Sequence, residues 1–425
     1  MLLLLLLTTP LLLLLLQLLL LLLQPPLLLL QPLLLLTTLL LQPPLLLPAL
    51  LQPLLLMPAL LQLLLQPLLL LQLLLLAATN QLFFVARKAD SLSRLFVFGV
   101  QYPHQNNFMV GKMMATALDA GYVDLSVLGL IAVSGDDAIT FLQGQLTSDV
   151  RQLASGRVQY SGMCTPKGRL LASFLLWQSG TTIFIQLPQT LQESIQKRLS
   201  MYVLRSKAKL VNVVAEWQRF GVVGAGAATL VGQLAELPVQ NMAMRETSGL
   251  MVLRLADDRY ELMVPLSRSE AVATTLAAGA MALSIDEWVG LDIAAGVPVI
   301  LPATQEQFVP QMVNFDLIGA VDFKKGCYTG QEIVARSQYL GKLKRRMYRI
   351  HATESMAAGE SLFSPEMGDQ ASGMIVQARS AASGGWDALA VVQVSCVGHA
   401  LHLRSPDGEQ VTWQELPYAV STLDG

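Results

Sequence analysis

Asp322-Phe323-Lys324-Lys325-Gly326-Cys327-Tyr328-Thr329-Gly330-Gln331-Glu332-Ile333-Val334-Ala335-Arg336 is the most informative stretch of this 425-residue sequence. Ile333-Val334-Ala335 continues a helix. Thr329 followed three residues later by Glu332 has the spacing of a capping box, in which Thr caps the first turn and Glu reaches back to the cap's own N–H. Cys327 then falls two residues outside a helix N-terminus. The free N–H groups and the macrodipole there are electropositive, and Lys324, Lys325 and Arg336 add charge, which favours thiolate over thiol. Gly326 and Gly330 permit tight backbone geometry on either side. A plainer reading uses the same residues: a buried, inert Cys beside an ordinary cap, since free Cys is among the most buried residue types.

Upstream of this segment, strands and helices mix. Val127 to Val133 is β-rich, and Ser134-Gly135-Asp136-Asp137 offers turn and cap residues before the helical pattern Ala138, Phe141, Leu142. From Tyr160 the chain reads as a meander: a strand, a Pro166-Lys167-Gly168-Arg169 turn, a strand at 170–177, a Ser179-Gly180 turn and a strand at 181–187. A helix is expected near 189–201. Strands near 208–215, 219–224, 250–255 and 259–264 alternate with helical windows near 226–236, 267–278 and 284–295, an α+β arrangement with no repeat of 20 to 50 residues. Downstream, short runs at 347–352, 372–379, 388–396 and 399–404 are separated by Gly, Ser, Pro and Asp, which suits a small C-terminal β-barrel.

The N-terminal part is a different object. Fifty of the first 76 residues are Leu, and no residue before Arg87 carries a charged side chain. Pro10, Pro25, Pro32, Pro43, Pro53 and Pro67 are among the prolines that interrupt every window long enough to span a membrane, and neither a basic leader region nor a small-residue cleavage site is visible. The expectation is a low-complexity Leu/Pro/Gln tract and tail over 1–108, disordered or non-native, with Met109, Met113 or Met114 as start and no membrane association. The charged remainder, 28 Lys+Arg against 30 Asp+Glu, excludes a strongly basic nucleic-acid coat and an acidic tail. Cys164, Cys327 and Cys396 are odd in number and far apart, so no disulfide framework or CxxC knuckle arises, in keeping with a cytoplasmic setting. His399 and His402 sit three apart in a strand-like run, on opposite faces, and no metal site is expected.

The segment Lys324 to Glu332 resembles the signature of the YgfZ-type proteins. These are folate-binding relatives of the glycine-cleavage aminomethyltransferase that support iron–sulfur enzymes and, through them, tRNA modification. Phe141-Leu142-Gln143-Gly144-Gln145-Leu146-Thr147-Ser148-Asp149, Thr165-Pro166-Lys167-Gly168-Arg169, Gly290 to Ile300, Phe308 to Met312 with Asn314, and Tyr339-Leu340-Gly341 with Lys344-Arg345-Arg346 also look like family blocks, over about 120 to 420. The resemblance implies a GcvT-like folate-binding α+β region of two subdomains over 109–343 and a β-barrel over 344–425. It implies tetrahydrofolate or a related folate as ligand, and iron–sulfur assembly or client proteins as partners. Cys327 is the expected reactive thiol, with Lys324 and Lys325 depressing its pKa at the cavity rim and Glu332 holding the helix.

The alternatives are a folate-dependent aminomethyl- or methyltransferase and a non-catalytic folate-binding scaffold. Aminomethyl transfer is disfavoured because the acidic pair that follows the Gly-rich turn in that enzyme corresponds here to Ala172 and Ser173. A pterin needs a π-face, a carboxylate acceptor and cations for its glutamate tail. Trp288 matches a family tryptophan and supplies the face, or else is core at its Ile285, Trp288, Val289, Leu291 spacing. A second pocket tryptophan aligns to Leu128 and a family glutamate to Ala294, so Glu287 or Asp292 would have to substitute. Arg336 belongs to an excess of six charges between 320 and 350 (eight Lys/Arg minus Asp322 and Glu332). That excess would meet a folate tail, an RNA backbone or an acidic partner, or is a solvated face. No RNA-recognition motif is present, so no stable direct nucleic-acid binding is expected.

Overall fold

The computed structural model describes residues 119–339, 343–381 and 384–420, so the expectations for 1–108 lie outside the described residues. β1 (Gly121–Asp124) leads into β2 (Leu128–Ser134), α1 (Ala138–Gln143), a meander of β3 (Gln159–Cys164), β4 (Leu170–Ser179) and β5 (Thr182–Pro188), and α2 (Gln189–Val203) before β6 (Lys209–Asn212). The succession then recurs as β7 (Trp217–Val223), α3 (Ala227–Gly232), a meander of β8 (Ala243–Thr247), β9 (Leu250–Ala256) and β10 (Arg259–Pro265), and α4 (Ser269–Gly279) before β11 (Met281–Ala282). Two sheets result, ordered β3-β4-β5-β2-β6 and β11-β1-β7-β10-β9-β8.

The recurrence has a local cause in two glycines. Gly135 and Gly224, each just after the first strand of its half, hold φ of 114° and 107°. A Cβ at either would collide with a backbone carbonyl, that of Lys207 or that of Asp119. Each turn therefore needs glycine for conformation and for space together. The two sheets pack face to face. Along β4, Ala172, Phe174 and Leu176 enter a core with α1 and α2, while Leu175 and Trp177 pack against Met251, Leu253 and Met263 of the second sheet. Burial on both faces explains why β4 reads as a continuous apolar run rather than an alternating one.

After β11, α5 (Ile285–Ala294) and a loop region carry the chain to α6 (Gln331–Tyr339). Six C-terminal strands follow: β12 (Arg345–Ala352), β13 (Ser361–Phe363), β14 (Ala371–Ser380), β15 (Trp386–Gln393), β16 (His402–Leu403) and β17 (Thr412–Gln414). They form one sheet ordered β16-β13-β14-β15-β12-β17, whose two edge strands do not pair with each other among the described residues. The expected β-rich C-terminal unit is present, as a sheet whose ladder does not close into a barrel among those residues. β1, β8, β11, β13 and β17 were outside the sequence expectation; β13 and β17 are only three residues long. Among the described residues, no helix is long and apolar enough to cross a membrane.

Candidate functional site

β10 carries Arg259 and Glu261 two residues apart and so on one strand face, and both line a cavity of about 370 Å³. Gln186 of β5, Tyr160 of β3, and Trp288 with Asp292 of α5 complete its polar side, and Gln377 and Ala378 of β14 bring in the C-terminal sheet. α5 is positioned by Ser284, whose Oγ accepts from Glu287 N–H at 3.2 Å while Glu287 Oε2 accepts from Ser284 N–H at 2.7 Å. That capping box answers which acidic residue faces inward. Glu287 is used at the helix start, whereas Asp292, one turn beyond Trp288, lines the cavity.

Glu261 is 1% exposed. Gln186 Nε2 donates to Glu261 Oε1 at 2.8 Å, and among the described residues Glu261 Oε2 and Gln186 Oε1 are buried with no hydrogen-bond partner. Burial pushes the Glu261 carboxyl up to about 7, against the opposing pull of Gln186, Arg259 and Arg219. Asp292 is also raised by burial, with Arg259 pulling the other way. An acceptor buried and left unmet costs about 1–3 kcal/mol.

Trp288 does not offer the open face expected of it. The Arg259 guanidinium lies over the indole with Cζ 4.0 Å from the ring centroid, and Nη2 reaches Asp292 Oδ1 at 2.9 Å. The indole also abuts Gly221, where a Cβ would lie 2.5 Å from Trp288 Cζ3. A guanidinium buried here needs both a carboxylate and a π-surface to offset its lost hydration, and Trp288 supplies the second. Leu128 lines the cavity as an apolar wall, and its carbonyl accepts from the buried Arg219 Nη2. Ala294, the position that the resemblance matched to a glutamate, is exposed.

The Cys327 segment departs from expectation in three ways. First, α6 begins at Gln331 after Gly330 at φ 84°, where a Cβ would collide with the Thr165 carbonyl oxygen and crowd Gly168. Thr329 therefore stands outside the cap position and gives its N–H to Gly144 O at 3.3 Å. Glu332 is exposed and makes no capping bond among the described residues, so the Thr329–Glu332 box does not form. Second, Lys325 is not an open cation beside the thiol. Its ammonium is buried and donates to the carbonyls of Gln143, Leu146 and Ser148 at 2.8, 2.5 and 2.9 Å. Burial draws its pKa down to about 8, with Asp149 and Asp322 opposing. Third, Cys327, Lys324, Glu332 and Arg336 are exposed and are not among the cavity-lining residues. Cys164 and Cys396, by contrast, are buried.

The basic patch also thins on inspection. Arg346 is buried in a two-toothed pairing with Asp316, at 2.7 and 2.9 Å, and Lys325 is committed to carbonyls. Lys342 lies outside the described residues. Ala172 is buried in the core, and Ser173 Oγ accepts from Ile300 N–H at 2.9 Å, so neither position provides a carboxylate.

The sequence pattern of the GCVT N-terminal domain family matches residues 95–285. The chain is 30% identical over 256 residues to the tRNA-modifying protein YgfZ of Yersinia pestis (strain Pestoides F), a match covering 58% of this chain and 76% of that protein. The chain belongs to the YgfZ family. The tRNA-modifying protein YgfZ of Sodalis glossinidius (strain morsitans) is 29% identical over 306 residues, 70% of this chain and 93% of that protein. Among solved structures, the glycine cleavage system aminomethyltransferase T of Bartonella henselae shares the fold at a TM-score of 0.61 and 18% identity, over 72% of this chain and 88% of that one. Within this YgfZ-family chain, Arg259, Glu261 and Gln186 escaped the sequence reading. The available signal was in β10, where Arg259 and Glu261 share a face with buried Met263 while Tyr260, Leu262 and Val264 fill the opposite one. Charges on an inward face are the informative exception in a strand.

Proposed function

We propose that the chain is a folate-binding accessory protein that supports iron–sulfur cluster assembly or repair in the cytoplasm and, through it, tRNA modification. The observation that carries the folate reading is a largely apolar cavity of about 370 Å³ with Glu261 and Gln186 among its lining residues. A pterin presents adjacent ring and amino N–H groups to such a pair, and Leu128, Val289 and Phe315 give its rings apolar walls. Folate supplies one-carbon or redox chemistry when bound; the chain's own part is to hold the ring and exclude water from it. The absence of a carboxylate at Ala172 and Ser173 weighs against aminomethyl transfer.

Cys327 is proposed as the reactive thiol, on the ground that it is the exposed cysteine of the three. Its place outside the cavity lining favours a thiol that meets a partner protein rather than the bound folate. Titration of the protein with tetrahydrofolate, followed through tryptophan fluorescence, tests the reading: saturable quenching that Glu261→Gln weakens at least tenfold is expected, and no response to millimolar ligand refutes it. For the thiol, Cys327→Ser should abolish rescue of iron–sulfur enzyme activity in cells lacking the protein while leaving folate affinity unchanged.

A further inference from the structure

We infer that the end of α2 and the turn after it form the docking surface for an acidic partner protein that Cys327 meets, an inference that rests on the reading of Cys327 as a reactive thiol. From Ser194 to Ala215 the chain has five Lys/Arg (Lys197, Arg198, Arg205, Lys207 and Lys209) and no Asp or Glu, in a sequence of net charge -2. Among the described residues only Lys207 of the five has an ion-pair partner, Asp136 Oδ2 at 3.4 Å, and both of those side chains are exposed. Between the cations stand Met201, Tyr202 and Leu204, which are 60%, 41% and 87% exposed. Leu204 is the informative one. It ends α2 at φ 46° and ψ -104°, a conformation that suits glycine. Neither the backbone nor the solvent favours a leucine here, so fold stability does not account for it.

The turn holds this tip still. Ser206 N–H donates to the Val203 carbonyl at 2.7 Å, Lys207 N–H donates to Asp137 Oδ2 at 2.7 Å, and Asp137 N–H donates to the Lys207 carbonyl at 3.2 Å. A surface fixed before binding loses less freedom on association. Asp137 immediately precedes α1, a helix of six residues and so about 9 Å long. The far end of the same helix holds the Cys327 loop: the carbonyls of Gln143 and Gly144 accept from Lys325 Nζ at 2.8 Å and from Thr329 N–H at 3.3 Å. One short helix thus separates the tip from the thiol's loop, well within the span of a single protein interface. Five cations around three apolar side chains call for a partner with an apolar cleft rimmed by Asp and Glu. A second copy of the chain would bring the same cations face to face. An anionic lipid surface would press against Asp136, whose side chain is 81% exposed at the same turn, whereas a protein can place a cation there.

Leu204→Gly removes the apolar tip at a position that suits glycine, so its unfolding temperature should be no lower than that of the unaltered chain. In cells lacking the protein, this variant and Arg205→Glu/Lys209→Glu should each restore iron–sulfur enzyme activity at least about tenfold less well, with folate affinity and the rate of Cys327 alkylation unchanged. A benzoylphenylalanine placed at Tyr202 should photo-cross-link in those cells to an Asp/Glu-rich peptide of another protein. Full restoration by both variants overturns the inference and leaves the accessory reading intact. Failure of the unaltered chain to restore activity overturns both. Slower alkylation of Cys327 in the variants assigns the loss to the thiol's own setting and overturns the docking role. So does binding to vesicles of phosphatidylserine and phosphatidylcholine that Leu204→Gly abolishes, or a dimer in sedimentation that it disperses. A cross-linked peptide without acidic excess refutes the charge assignment.

Discussion

Glu261 sits where burial disfavours an ionised carboxylate, and among the described residues only Gln186 hydrogen-bonds to it. Its pKa, raised from 4.5 to about 7, means that the folded chain binds this proton more tightly than the unfolded chain. Stability then falls as pH rises from the unfolded value through about 7, by on the order of 3 kcal/mol for an isolated group. Arg259, Arg219 and Asp292 face the same carboxyl and will broaden that window. Glu261→Gln should therefore stabilise the empty protein at pH 8 and have little effect at pH 4, read from urea midpoints, while folate affinity falls. An equal change at both pH values would show that the carboxyl does not titrate in this range. The same side chain thus weakens the empty fold and supplies the ligand's acceptor, as expected where binding needs an unmet buried group. Solvent access gives a second residue-scale expectation. Under native conditions iodoacetamide should label Cys327 and spare Cys164 and Cys396, as mapped by peptide mass spectrometry; Cys164 is doubly protected, because burial also pushes its thiol up to about 12.

Lys325 shows how a signature residue can work through an element rather than through chemistry. Its ammonium gathers three carbonyls from the end of α1 and the following loop, which ties the Cys327 loop to the first sheet's helical layer. Lys325→Met keeps much of the aliphatic packing but leaves those carbonyls without their donor, and should cost about 3 kcal/mol of unfolding free energy, measured by denaturant titration. Lys324→Met, at an exposed position, should change stability by less than about 0.5 kcal/mol. Most strands and helices were legible in the sequence because their apolar periods are local: α2, β4, β5 and α5 fall within a few residues of expectation. The capping box at Thr329 was not, because spacing alone cannot show that Gly330 must turn at φ 84° against the Thr165 carbonyl. The halves' shared strand–helix–meander–helix order was missed for a related reason. Its period, read from Gly135 and Gly224, exceeds the repeat lengths that were sought, and only the two glycine turns mark it.

At the scale of the molecule, the site is an assembly property. The cavity takes walls from β5 of the first sheet, β10 of the second, α5, and β14 of the third, so no contiguous piece of sequence carries it. The family resemblance thus implied Trp288 and Leu128, which do line the cavity, together with Cys327, Lys324, Lys325 and Arg336, which do not. The expected boundary near 344 falls just before β12, which begins at Arg345. Packing, however, runs across it: Ile300, Phe308, Phe315 and Val334 share one core with Met347, Val376, Leu389 and Val391. The Arg346–Asp316 pair, with both side chains at least 93% buried, crosses it as well. Cutting the chain at 344 would expose that core and strand a buried charge, each a loss of several kcal/mol against a total stability of about 5–15 kcal/mol. The charged portion of the chain should therefore unfold as one unit, with a calorimetric enthalpy equal to the van't Hoff value. Saturating folate should move that single transition upward by linkage, about 2.7 kcal/mol at a hundred times Kd, instead of shifting one of two transitions. Two resolved transitions, with only the earlier one sensitive to ligand, would mean that the C-terminal sheet folds alone and contributes no more than a lid of Gln377 and Ala378.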